Sequence, residues 1–188
     1  YASKTSDIEF MYPWGWGELE GIANRGTFDL TSHERESGKD LTYFDPESNE
    51  KINPVVIEPA GGLTRTLFAI LCSSYDEDTV NDTTRTLFRF SFDIAPIQIA
   101  ILPLSKKDNL INTSKEIKTK LQRSFRTEID ITQSIGKRYR RQDEIGTPYC
   151  ITVDFETMDD DSITIRNRDT MNQERVEINK LHDYFENI

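Results

Sequence analysis

Cysteine is scarce in this sequence: Cys72 and Cys150 are the only two in 188 residues. They are far apart, flanked by apolar residues and outside any CxxC or Cys/His spacing. That argues against a disulfide framework or a cysteine-held metal, and both read as reduced core thiols in a reducing, cytoplasm-like compartment. Histidine is equally rare. His33 and His182 lie among polar residues without ligand-spaced partners and read as surface side chains rather than catalytic bases. Long hydrophobic runs are missing too. The longest, from Ile97 to Leu104, is interrupted by Gln98 and Pro103 and is too short for a membrane-spanning helix. No GxSxG, HExxH, Walker-type loop or GxGxxG occurs, so nothing points to nucleophilic catalysis. The first residues show no basic stretch followed by an apolar one, hence no secretory signal. The missing initiator Met implies that the chain was cut from something longer.

What is present is a polar, globular composition, 36% hydrophobic and 30% charged. The length allows one good core or two small ones. The formal net charge of −10 argues against indiscriminate nucleic-acid binding through bulk charge. Basic residues are nevertheless concentrated at one place, Lys137, Arg138, Arg140 and Arg141.

Two halves follow different rhythms. From Asp7 to Tyr75 the pattern predicts strands linked by long polar loops: Asp7 to Met11, then an alternating strand from Glu18 to Ala23, a possible hairpin strand around Leu41, Tyr43 and Phe44, and a further strand from Pro54 to Glu58. Gly61 and Gly62 break the last of these, and Thr64 to Cys72 continues at helical spacing. Residues 76–86, DEDTVNDTTRT, have almost no apolar period and read as a tether. From Ala95 onward strands and helices alternate. Helices are expected over Thr113 to Phe125, capped by Asn112 or Thr113, over Ser134 to Ile145, and from Asn179 to Tyr184. Strands are expected over Gln98 to Leu104, Thr127 to Ile131, Tyr149 to Phe155, an exposed Ser162 to Arg168, and Arg175 to Ile178. The expected fold class is therefore α/β: a mixed, mostly parallel sheet flanked by helices, preceded by an incomplete antiparallel unit. The expected boundaries are 1–77, a linker at 78–94, and 95–188.

Three constellations could carry chemistry. In Glu58-Pro59-Ala60-Gly61-Gly62-Leu63-Thr64-Arg65, an acidic residue ends a strand and an arginine opens a helix, where its fork and the helix dipole could meet phosphate oxygens. A plain strand-to-helix turn with a solvated arginine explains the same spacing. Glu18 and Glu20 alternate on the proposed strand and would share a face, side by side, as a place for a divalent metal or an ammonium group. From the residues alone a solvent-facing carboxylate pair fits better. Lys137, Arg138, Tyr139, Arg140 and Arg141 could neutralise RNA phosphates while Tyr139 stacks a base. An amphipathic helix with Arg140 paired to Glu144 is the alternative.

Read in order, these stretches resemble a known family. GWGELEGIANR, FDL at Phe28 to Leu30, SGKDLTYFD and VIEPAGGLTR are similar to the last third of the catalytic domain of class II, bacterial-type homodimeric glycyl-tRNA synthetases. IAPIQIAILPL and IGKRYRRQDEIGTPYCITVDFET resemble the anticodon-binding domain shared by the synthetases for Gly, His, Pro and Thr. The resemblance covers essentially the whole chain and implies roles. Glu18, Leu19, Gly62, Leu63, Thr64 and Arg65 would contact ATP, with Glu18 binding the Mg2+ that bridges its phosphates and Arg65 the motif 3 arginine along the triphosphate. Glu20, Glu58, Pro59, Ala60, Gly61 and Gly62 would line the glycine pocket. Lys137 to Arg141 would touch the anticodon of tRNA(Gly). It also implies a homodimeric cytoplasmic enzyme that adenylates glycine with ATP and then charges tRNA. Many relatives have Ser in place of Ala60, and an acidic residue where Thr64 stands. Motifs 1 and 2 are absent from this stretch, so the chain alone is expected to be inactive. A non-catalytic synthetase-like accessory subunit and a free-standing RNA- or protein-binding module are the competing readings.

Overall fold

A computed structural model describes residues 2–80 and 82–188. The chain divides into two compact units, Tyr1–Ser73 and Ser74–Ile188.

The first unit is built on a three-stranded antiparallel sheet of β1 (Lys4–Tyr12), β2 (Gly15–Gly26) and β5 (Val56–Gly61), with β2 in the middle. A small hairpin, β3 (Tyr43–Asp45) and β4 (Glu50–Ile52), fills the turn-rich stretch as expected. Helix α2 (Leu63–Ser74) follows the Gly62 break, and Ala69 and Tyr12 are buried. Tyr12 stacks on Trp14, with ring centroids 4.9 Å apart, and Trp14 on Phe68 of α2 at 5.5 Å. The 28–37 stretch, expected as loop, is instead helix α1 (Phe28–Ser37). It buries no residue, and ends at Gly38 in the left-handed conformation that a Cβ would disfavour. Strand β5 lies at the sheet edge with most of its residues exposed, not in a buried position.

The second unit holds a five-stranded sheet in the order β12 (Gln173–Glu177), β11 (Ser162–Asn167), β10 (Tyr149–Val153), β8 (Ile99–Pro103) and β9 (Thr127–Ile129). β10–β8 and β8–β9 are parallel, whereas β10–β11 and β11–β12 are antiparallel. The sheet is thus mixed and mostly parallel in strand direction, as expected: β8, β9, β10 and β12 run one way and β11 alone runs against them. β11 is an inner strand with Ile163, Ile165 and Arg166 buried, against the expectation of an exposed one. On one face Ile99, Ile101, Ile151, Val153, Ile163 and Ile165 pack with Leu110, Ile117 and Leu121 of α3 (Asp108–Leu121) and with Leu181 and Phe185 of α6 (Leu181–Glu186). On the other, Ala100, Leu102 and Cys150 meet Ile135 and Tyr139 of α4 (Ile135–Glu144). α3 starts earlier than its apolar spacing indicated, with Lys107 at the N-cap position, and Lys180 stands at that position for α6. A short helix α5 (Thr157–Asp160) completes the unit.

The presumed tether is also structured. Tyr75–Val80 and Thr83–Phe88 form an antiparallel hairpin, β6 and β7, belonging to the second unit. The expected linker at 78–94 is therefore occupied by folded chain. Its inward side chains are mostly charged, with Leu87 the fully buried apolar one. Arg85 donates to Asp78 and to Asp143 of α4, and Arg89 to Asp76, Asp78 and Asp169. Those pairs take the place of the hydrophobic alternation by which a strand is ordinarily recognised.

Candidate functional site: a carboxylate-lined sheet face and a strand-end edge

The ladder registers of the first unit decide which side chains share a face. Along β1, Ile8 pairs with Glu20 but Glu9 pairs with Glu18, so Leu19 is an extra, bulged residue. Neighbouring Ile8 and Glu9 face opposite ways, and directly paired residues share a face. Glu18 and Glu20 therefore lie on opposite faces. The expectation that they form a side-by-side pair fails because the bulge shifts the strand's alternation by one residue.

The same bookkeeping brings other residues together. Gly21 pairs with Ala60 and Ala23 with Glu58. Asp7, Glu9, Glu18, Gly21, Ala23, Glu58 and Ala60 then occupy one face, with carboxylates around three of the smallest side chains. The contacts agree: a Cβ built on Gly21 would meet Glu18 Oε1 at 3.3 Å and Asp7 Oδ1 at 3.6 Å. Glu20, Pro59 and Gly61 lie on the other face and do not line this one. Glu58 accepts from Arg25 Nη1 at 3.0 Å.

Helix α2 positions Arg65. Thr66 N–H donates to the Gly62 carbonyl at 2.8 Å, closing the first turn, which holds Leu63, Thr64 and Arg65. Leu63 is exposed, and the Arg65 carbonyl accepts a bond from Tyr12 at 3.3 Å. The guanidinium Nη1 donates to the Glu18 backbone carbonyl at 2.6 Å. The helix-start arginine and strand β2 are thus in contact, as the family resemblance implied.

The basic cluster of α4 is placed differently from expectation. Ile135, Arg138, Tyr139 and Gln142 fall at i, i+3, i+4 and i+7, the spacing of a single helix face, and that face turns toward the sheet. Arg138 is 4% exposed and donates to the Pro103 and Asp130 carbonyls, while its Nε has no partner among the described residues. Burial pulls its pKa below the usual arginine value. Tyr139 packs under Arg166, 4.9 Å from ring centroid to guanidinium, and its hydroxyl bonds Thr152; burial raises its pKa. Arg140 donates to the Thr84 carbonyl, not to Glu144, and Arg141 grips Asp130. Neither Arg138 nor Tyr139 presents itself to RNA. Lys137 alone of the five stays exposed.

Hydropathy and charge runs do not reveal the edge where Lys137 sits. β8, β9 and β10 run parallel, so their C-terminal ends share one rim, with α3 on one face of the sheet and α4 on the other. Strand order places β9 and β10 on opposite sides of β8, the arrangement in which open α/β sheets leave a crevice at the strand ends. Exposed Lys106 and Lys107 follow β8, and exposed Phe155 follows β10, with Lys107 Nζ 4.7 Å above the Phe155 ring. Asp108 and Glu156 are acidic neighbours on the same rim.

Both histidines are exposed. His182 does have carboxylate neighbours that the sequence reading missed: ligand atoms of His182, Asp183 and Glu186 lie within 4.8 Å of one another. His182 Nδ1 to Glu186 Oε1, 3.4 Å, is the approach of an i,i+4 pair on an exposed helix. Cys150 is buried and Cys72 half-buried, both as free thiols. Among the described residues no helix is long and apolar enough to cross a membrane.

Residues 98–188 match the family model described as anticodon binding domain. Glycine–tRNA ligase of Ruminiclostridium cellulolyticum is 54% identical over 188 residues, all of this chain and 40% of that protein. The glycine–tRNA ligase of Clostridium beijerinckii is 51% identical over 187 residues, again 40% of its length. The crystal structure of the RNA binding domain of threonyl-tRNA synthetase from Cryptosporidium parvum superposes with a TM-score of 0.71 at 21% identity, covering 97% of this chain and 42% of that one, a likeness of fold. The chain thus spans about two fifths of the curated relatives it matches. Over that span the chain is similar to glycine–tRNA ligases, and its residues 98–188 match the anticodon binding domain.

Proposed function

We propose that this chain supplies part of the catalytic face and the RNA-gripping unit of an enzyme that activates glycine with ATP and transfers it to tRNA(Gly). The observation that carries the reading is the face on which Glu18 and Glu58 flank Gly21, Ala23 and Ala60, with Arg65 bound to the Glu18 carbonyl. A substrate without a side chain is selected by holding its ammonium and leaving no room beyond its α-carbon. Carboxylates over a floor of minimal side chains do both. Arg65 has Nε and Nη2 without partners among the described residues, leaving donors for phosphate oxygens. Hard oxygen donors suit Mg2+, so Glu18 fits the role of holding it with the triphosphate; when bound, the ion screens phosphate charge. The residues act by positioning and electrostatics, with no covalent enzyme intermediate. Glycine-pocket roles for Glu20, Pro59 and Gly61 are dropped, because those residues face away.

The RNA contact moves from the α4 cluster to the strand-end rim. Lys106, Lys107 and Lys137 are exposed charges for phosphates, and Phe155 is an exposed ring for a base.

Two experiments on the full-length protein test these roles. Arg65→Ala should lower glycine-dependent ATP–pyrophosphate exchange by about 100- to 1000-fold, as loss of a transition-state donor does; an unchanged rate removes Arg65 from catalysis. Lys106→Glu, Lys107→Glu and Lys137→Glu together should weaken binding of the glycine anticodon stem-loop and flatten its salt dependence by roughly 2–3 in log–log slope. An unaltered slope would move the contact off this rim.

A further inference from the structure

Arg25 has no part in the roles above, yet its placement is specific. The β2–β5 register steps from Asn24–Ile57 to Gly26–Val56, which makes Arg25 the second bulged residue of β2. Bulges commonly re-aim a side chain beside a functional site. Here the guanidinium sits between two carboxylates: Nε and Nη2 grip both oxygens of Asp29, in the first turn of α1, at 2.5 and 2.6 Å, while Nη1 holds Glu58 Oε2. The three side chains differ in exposure, 20% for Arg25, 21% for Asp29 and 46% for Glu58. The hydrogen bond from Arg25 keeps the Asp29 carboxyl below its ordinary pKa.

We propose that Arg25 is a positioning residue for glycine binding: clamped by Asp29, it fixes Glu58 through one oxygen and leaves the other aimed at the substrate ammonium. This rests on the reading of Glu58 as an ammonium-binding group. The charge balance supports it. Arg25 is set against both Asp29 and Glu58, and Glu18 lies on the same face as Glu58, so Arg25 leaves that face negative and favourable to a cationic amino group. Glu58 Oε1 has no partner among the described residues, so a lone pair is available. A single fork reaching two acceptors requires the planar guanidinium; an ammonium on a flexible stem gives charge without direction. Helix α1, which buries nothing, thereby has a purpose: it delivers Asp29.

The test uses the full-length protein, with glycine-dependent ATP–pyrophosphate exchange read at varied glycine and varied ATP. Arg25→Ala should raise the KM for glycine by about 10- to 100-fold, as misplacement of a binding group does. kcat and the KM for ATP should change less than about threefold. Arg25→Lys should recover only part of the loss. Glu58→Gln is run alongside. If Glu58→Gln raises the glycine KM and Arg25→Ala does not, the positioning role is wrong. If Glu58→Gln itself leaves the glycine KM unchanged, the ammonium-site reading fails first. If Arg25→Ala lowers kcat, raises the ATP KM and lowers the urea midpoint together, Arg25 holds the fold and the proposal is overturned.

Discussion

Asp143 offers a demanding test of how the second unit is held together. Its carboxylate takes two bonds from Arg166, at 2.8 and 2.9 Å, and one from Arg85 at 3.1 Å. All three side chains are almost wholly buried, at 3–4% exposure. Arg85 keeps a second carboxylate in Asp78, but among the described residues Asp143 is the only carboxylate that Arg166 bonds. Asp143→Ala would thus leave a buried guanidinium without its counter-charge, and breaking such a pair from one side costs about 3–5 kcal/mol. For a unit of roughly this size that lowers Tm by about 12–20 °C. Replacing both partners, Asp143→Leu with Arg166→Met, removes the stranded charge and should recover most of the loss. The chain is convenient for the assay: both tryptophans, Trp14 and Trp16, lie in the first unit. Tryptophan fluorescence then follows that unit, while calorimetry or far-ultraviolet circular dichroism follows the whole chain. A single variant costing under about 1 kcal/mol, or a double variant as unstable as the sum of the singles, would refute the reasoning.

Two further outcomes are expected. Gly146→Ala should severely lower the yield of folded protein, because Gly146 sits at φ +84° and a Cβ there would lie 2.3 Å from the Phe90 ring and 2.9 Å from Phe88 Cβ; strain and overpacking together cost roughly 2–4 kcal/mol, read as a drop in the urea midpoint, and a Tm within 2 °C of the parent on the order-of-magnitude scale used above would contradict the packing described. Burial pushes the Cys150 thiol up to about 12 from its ordinary 9. The neutral thiol is favoured in the fold, so this stabilisation is complete below the ordinary value and is lost as pH rises through that window. Native protein at pH 8 should alkylate at Cys72 well before Cys150, by peptide mapping with iodoacetamide; equal rates would show that Cys150 is not enclosed.

Much of the architecture was legible in the sequence because it follows hydrophobic period. The Ile99–Pro103 and Tyr149–Val153 strands are runs of buried apolar residues, and α3 shows its Ile117 and Leu121 face. The hairpin at Tyr75–Phe88 was not legible because its inner side is salted with Asp76, Asp78, Arg85 and Arg89, which a hydropathy scan records as solvent-facing. Helix α1 escaped for a related reason: with no buried face, only the Arg25–Asp29 pair and the Gly38 ending mark it. Arg65 beside Glu18 followed from the family resemblance, since strand–glycine–helix spacing alone fits a solvated arginine as well. The partnership of Glu18 and Glu20 was misread, since a bulge at Leu19 leaves no trace in composition. The α4 cluster was misread because charge was given more weight than spacing, although Ile135, Arg138, Tyr139 and Gln142 already trace an inner face.

The burial of Arg85, Arg138, Arg166 and Arg168 has a consequence for sequence variation. Arg85, Arg138 and Arg168 each donate to two or more acceptors on separate segments, and Arg166 grips both oxygens of Asp143, so an exchange to lysine, conservative by charge, would unfasten joints that no ammonium can span. The exposed lysines 106, 107 and 137 carry no such duty and can drift to arginine without harm to the fold. Homologues of this unit should accordingly vary their cations freely outside and hardly at all within.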